Sequence, residues 1–380
     1  MSKLAARIKS RIKAQGPISV AEYMTLCLLD PVDGYYPTRD PLGADGDFIT
    51  APEISQMFGE VIGLWCLQSW QDMGRPSRLH LIELGPGRGI MMSDILRTAA
   101  LDADFLAALS VTLIEASAAL EAVQARTLAQ SGVNVTWAPA LPKTLDGPAL
   151  VIGNEFLDCL PIRQLIQKDP FASQSEEGSG WHERCVMLDE NERLSFGVAP
   201  IAISPQARAD LPAGIEDART DDLLEICPAA RQIVDQLSGL FSKAPGRALF
   251  IDYGPETTEF GDSLQALKRH EKVGVFSDPG NTDLTARVDF AALQAMARSA
   301  ELAVTNATPQ REFLSKLGIE MRAIALSKSS SVSAGQTDAR AKIARQLHRL
   351  MDTAEMGELF KAVCLQSSGL GLPLGFRSLS

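Results

Sequence analysis

The chain has 380 residues, 46% of them hydrophobic and 22% charged, with a formal net charge of −11. That length exceeds a usual single core and predicts two domains, or one domain with a large insertion. The negative charge, with no compensating Lys/Arg cluster, argues against nucleic acid as a partner, and no apolar run is long enough for a membrane span.

The six cysteines are scattered and none forms a CxxC pair, and the four histidines lack ligand spacing. Both patterns argue against a metal site and for a reducing compartment. The basic opening stretch "MSKLAARIKSRIKAQ" puts Leu4, Ile8 and Ile12 on one face, as the first amphipathic helix of a domain would. Read that way, rather than as a targeting peptide, it suits a bacterial cytoplasmic protein. A second short helix follows, with Ser19 as its N-cap.

A long segment dense in Gly, Pro and Asp comes next, and its Asp40, Asp45 and Asp47 are read as turn residues because they miss calcium-loop spacing. It ends in "TAPE", where Thr50 and Glu53 predict a capping box for a helix running to about Met73. From residue 78, short apolar strands alternate with helices. "RLHLIEL", "SVTLIEA", "VNVTWAP", "PALVIGNEF" and "RALFIDYG" are the strands, which predicts an α/β fold with a doubly wound, mainly parallel sheet.

Residues 167–227 break the alternation. They hold a predicted β-hairpin, "RCVMLDENERLSFGV", and read as an insertion that forms a cap or a partner surface. The expected segments are therefore 1–75 (helices and loop), 76–166 with 228–320 (the core), 167–227 (the insertion) and 321–380 (C-terminal helices). A Ser-rich "SKSSSV" reads as a linker within the last of these.

The chemistry starts at "ELGPGRG", where Gly85, Pro86, Gly87 and Gly89 form a turn after the first strand. A phosphate-binding Walker loop needs Lys-Ser/Thr after the final glycine, and a dinucleotide fingerprint needs glycine at 90. Ile90 fails both. The G-x-G-x-G spacing is the form used by class I S-adenosylmethionine (SAM) methyltransferases. Glu83 agrees with that assignment. A carboxylate beside this turn would repel a pyrophosphate but suits the cationic methionyl end of SAM, and the glycines let backbone approach a ligand closely.

Glu115, ending the second strand, is placed to accept both ribose hydroxyls. Trp137, near the end of the third, could stack on adenine or belong to the core. The fourth strand emerges as Asn154-Glu155-Phe156-Leu157-Asp158, at the edge where ligands of such sheets bind. Glu155 and then Asp158 are the candidate catalytic carboxylates, with Asn154 beside them. A further ligand role is assigned to Thr50 and Glu53.

Together "GPISVAEYM", "DGYY", "GDFITAPEIS", "ELGPGRG", "NEFLDCLPIR", "DYG" and "DLTARVDF" resemble the MidA-like family of SAM-dependent methyltransferases over nearly the whole chain. The resemblance implies symmetric dimethylation of arginine on a subunit of NADH:ubiquinone oxidoreductase (complex I). It also implies a protein partner and a mitochondrial location for eukaryotic relatives. Two other functions stay open from the residues: methylation of a small metabolite, or SAM-binding assistance of complex I assembly with little catalysis.

Overall fold

A computed structural model describes residues 2–38, 50–168, 180–209, 211–329 and 336–378. The aspartates at 40, 45 and 47, and residues 330–332 of the Ser-rich stretch, lie outside these residues. The chain divides into two compact units: one of Met1–Pro41, Asp158–Ile233 and Pro255–Ala295, the other of Leu42–Leu157, Val234–Gly254 and Met296–Ser380. This division cuts across the segments drawn from the sequence. The first 41 residues belong with the insertion, not with the 42–75 stretch that follows them.

The second unit carries the doubly wound sheet. Its strands are β1 (Leu79–Leu84), β2 (Leu109–Ile114), β3 (Val135–Ala138), β4 (Ala149–Asn154), β5 (Gly246–Tyr253) and β6 (Phe360–Gln366). They lie in the order β3-β2-β1-β4-β5-β6; the first five are parallel, β6 runs antiparallel to β5, and two short edge strands also pair with β6. The order reverses between β1 and β4, so a crevice opens outside their carboxyl ends. β4 is buried along its whole length and β5 along nearly all of it, which is why each carries a continuous apolar run, Ala149–Ile152 and Ala248–Ile251.

One sheet face packs Leu81, Leu113, Ile152 and Ile251 against α1 (Ala51–Ile54), α2 (Gln56–Asp72) and α3 (Ile90–Ala99), with Trp65, Phe58 and Met92 at the centre. A fourth helix, α4 (Ala118–Leu128), joins β2 to β3. Arg247 of β5 is fully buried. It donates to Asp72, Ser69, the side chain of Gln366 and the carbonyl of Gly371, so its charge is held by one carboxylate and three neutral acceptors.

Two expectations need correction. The helix predicted from Thr50 to Met73 is broken. α1 has only four residues, Ser55 is extended (φ −159°), and its hydroxyl accepts from Met57 N to cap α2 instead. Thr50 makes no side-chain cap bond, so the capping box does not form. The C-terminal segment is not wholly helical either. Phe360–Gln366 supplies β6, because its apolar run completes the sheet at β5.

The first unit holds an antiparallel sheet of five strands. The predicted hairpin is Gly180–Leu188 paired with Leu194–Ala202, and it is joined by Arg163–Lys168, Leu223–Ile226 and Ile18–Ser19. The N-terminal helix Lys3–Gln15 and the helix Val20–Leu29 bury Leu4, Ile8, Ile12, Tyr23 and Met24 in one core with Val186 and Ile162. Ser19 caps the second helix by accepting from Glu22 N, as its position in the sequence predicts. Among the described residues, no helix is long and apolar enough to cross a membrane.

Candidate functional site

At the end of β1 the chain turns through Gly85, Gly87 and Gly89, with φ of +60°, +53° and +77°. Only glycine adopts three such values at little cost, which is the physical reason for the G-x-G-x-G spacing. Gly85 N donates to the carbonyl of Ile114 at 3.1 Å and Gly89 N to that of Pro86 at 2.8 Å, so the turn is tied to the end of β2. A Cβ added at Gly85 would stand 3.0 Å from the ring of Phe156. Close approach at this position is therefore to the loop after β4.

Glu83 sits in β1 opposite Leu113 and Ile152, on the face covered by α2. Its carboxyl is 2% exposed and its Oε2 has no hydrogen-bond partner. Burial pushes it up to about 8, and its charge in turn helps to raise the Cys66 thiol of α2. A buried carboxylate oxygen without a donor is costly, and a cationic group is what would satisfy it. Asn154, ending β4 on the same sheet face, likewise has an unpartnered buried Oδ1. Two acceptors lacking donors on one face of the strand ends fit the ammonium-bearing end of SAM.

Glu115 follows β2. Its Oε1 accepts from Ser117 N at 2.8 Å and its Oε2 from Gln124 Nε2 at 2.9 Å, while burial raises its pKa. Each oxygen keeps a further lone pair for a ligand. Trp137 is half-buried against the core and its indole N–H donates to Gln124 Oε1 at 2.8 Å. Gln124 also donates to the carbonyl of Gly87 at 2.8 Å. Sequence reasoning missed Gln124. The signal was present, since a glutamine interrupts the buried face Leu120–Gln124–Leu128 of α4.

The loop after β4 is held by Asp252 of β5, which accepts from Phe156 N at 3.1 Å and Leu157 N at 2.8 Å. Glu155 takes the left-handed conformation there (φ +49°), an unusual state for a non-glycine residue and one that marks functional turns. Its Oε1 accepts from Ala51 N at 2.8 Å and from Asn154 Nδ2 at 3.2 Å. Thus Glu155, rather than Thr50, serves the first N–H of α1. Burial pushes its carboxyl up to about 7, aided by the charges of Asp252 and Glu53 and opposed by those two hydrogen bonds. Glu53 of the "TAPE" segment is therefore brought into the field of Glu155.

Asp158 falls in the other unit. It is buried, its carbonyl accepts from Ala286 N at 2.9 Å, and its charge bears on Tyr36, whose hydroxyl donates to Asp283 at 3.1 Å. The "DGYY", "NEFLD" and "DLTARVDF" blocks thus meet at Tyr36, Asp158 and Asp283.

Residues 61–308 match the family described as "Putative S-adenosyl-L-methionine-dependent methyltransferase". The "Protein arginine methyltransferase NDUFAF7, mitochondrial" of Mus musculus is 36% identical over 374 residues, spanning 92% of this chain and 81% of the relative. That of Homo sapiens is 35% identical over 380 residues, spanning 93% and 81%. A crystal structure of a COG1565 superfamily member from Burkholderia thailandensis, bound to S-adenosyl-homocysteine (SAH), superposes with a TM-score of 0.82 at 28% identity. It covers 99% of this chain and 95% of that one.

Proposed function

The chain belongs to the MidA-like family of SAM-dependent methyltransferases, and we propose that within it this protein is a protein-arginine N-methyltransferase. Its substrate in this proposal is a subunit of complex I, and its product is symmetric dimethylarginine. The cofactor is SAM. The observation that carries the finer statement is Glu155: a half-buried carboxylate on a left-handed turn at the end of a central strand, with Asn154 and the charge of Glu53 beside it.

SAM supplies a methyl group activated by its sulfonium. Glu83 and Asn154 offer unpartnered acceptors to its ammonium, and Glu115 and Trp137 are assigned to its ribose and adenine. What remains is to present a nucleophile in line, and positioning supplies much of the rate in such displacements. Guanidinium is charged at any physiological pH and is a poor nucleophile. Glu155 accepts from two of its N–H groups and draws the charge toward them, leaving the third nitrogen freer to attack. With its carboxyl pushed up to about 7, Glu155 can also take the proton that the methylated nitrogen sheds.

The relatives named as protein arginine methyltransferases support this choice over a small metabolite. The test is Glu155→Gln, which keeps shape and removes charge. Methyl transfer to a complex I-derived arginine peptide is expected to fall by about 10²-fold or more, the scale of losing one preorganised electrostatic group. SAM affinity should stay within about threefold, because the cofactor is assigned mainly to β1 and β2. Mass mapping of the peptide reads the product, and full methylation by the variant would take Glu155 out of the mechanism.

A further inference from the structure

We infer that Gln124 is the positioning residue for the adenosine end of the cofactor site, an inference that rests on SAM being held at the glycine turn. Gln124 lies on α4, is fully buried, and touches three separate parts of that site. Its Nε2 donates to Gly87 O at 2.8 Å and to Glu115 Oε2 at 2.9 Å, and its Oε1 accepts from Trp137 Nε1 at 2.8 Å. The turn after β1, the end of β2 and the end of β3 are thereby joined through one amide.

The orientation of that amide is chemically determined. An indole N–H only donates, whereas a carbonyl and an ionised carboxylate only accept. The oxygen must therefore face Trp137 and the nitrogen the other two. No other side chain of this length offers two donors and one acceptor. Methionine offers no donor and only a weakly accepting sulfur. Glutamate would set a third acceptor against the Gly87 carbonyl and the Glu115 carboxylate. Glu121, also on α4, is a charge that bears on Glu115.

Each bond has a consequence for a ligand. Because the peptide is planar and trans, drawing the Gly87 carbonyl toward α4 turns the following N–H to the opposite side of the loop. Glu115, gripped at one oxygen by Gln124 and at the other by Ser117 N, has one orientation left in which to offer its remaining lone pairs. Trp137, held by its N–H, presents its ring in a fixed plane. Glu115, Trp137 and the turn are all groups assigned to the nucleoside, and a rigid arrangement spares the ligand the cost of ordering them.

The experiment uses the full chain and SAH as the probe, with calorimetry and tryptophan emission as readouts. Gln124→Met is expected to weaken SAH by about 10- to 100-fold, the scale of losing hydrogen bonds to a charged group. Trp137 should become more accessible to acrylamide and shift its emission. The other three tryptophans, Trp65, Trp70 and Trp181, are buried, and Trp137→Phe identifies the signal. Gln124→Glu adds a test that a mere packing role would not meet. At high pH it should bind as poorly as Gln124→Met. As pH falls, the new carboxyl takes a proton and can donate to Glu115, so its affinity should recover relative to Gln124→Met. Wild-type affinity in Gln124→Met with unchanged Trp137 emission would overturn the inference. So would a pH-independent ratio of Gln124→Glu to wild type, a comparison that holds even if the methionine variant folds poorly. A wild-type chain that fails to bind SAH would instead bring down the cofactor assignment, and this inference with it.

Discussion

Replacing Glu83 by glutamine tests the cofactor site through folding as well as binding. The carboxyl is buried, lacks a donor at Oε2 and is pushed up to about 8 from an ordinary 4.5. The folded chain therefore holds this proton more tightly than the unfolded chain. Stability is highest below the unfolded value and falls as pH rises from about 4.5 through about 8, after which the loss is complete. At about 1.4 kcal/mol per pH unit, the span sets a ceiling of about 5 kcal/mol, which water entry and relaxation reduce to about 2–5 kcal/mol. Glu83→Gln removes the ionisation while keeping the shape. In urea unfolding of the ligand-free protein, the variant is expected to match wild type near pH 5 and to exceed it by that amount at pH 9. A cation bound beside Glu83 reverses the shift. SAH binding near neutral pH should therefore release up to one proton from wild type, seen as a dependence of calorimetric enthalpy on buffer ionisation, and less from Glu83→Gln. A stability difference that does not change with pH, together with equal proton release, would refute the reasoning.

Glu115→Ala is expected to weaken SAH by about 1.5–3 kcal/mol, the range for charged hydrogen bonds, with the fold retained; calorimetry and circular dichroism check both parts. Arg247→Met should lower stability by roughly 3 kcal/mol, because Asp72 loses its buried cation and three neutral acceptors lose a donor. A urea midpoint within error of wild type would contradict that.

Much of the second unit was legible because its rules are local. Parallel strands buried on both faces must be apolar runs, and β4 is one from Ala149 to Ile152. Three glycines with positive φ announce a turn that other residues would strain. Carboxylates at strand ends stand out against such runs, which is how Glu83, Glu115 and Glu155 were found. The Phe360–Gln366 strand was not legible in the same way, since a short, mostly apolar stretch satisfies a helix or a strand equally. Only the open edge of β5 decides between them.

The amino-acid sequence by itself determined the order of the five parallel strands, the glycine turn, and the acidic residues Glu83, Glu115 and Glu155 at strand ends, because all three follow from contacts a few residues apart. Tertiary structure alone decided what those residues do to one another. It bound Ala51 N to Glu155, 104 positions away, where local capping rules pointed to Thr50. It set a single glutamine between Gly87, Glu115 and Trp137. It also buried Glu83 deeply enough to raise its pKa, and it joined the first 41 residues to a segment more than a hundred positions downstream. Burial and long-range hydrogen bonding depend on which distant atoms the packed chain brings close, and no local pattern encodes that.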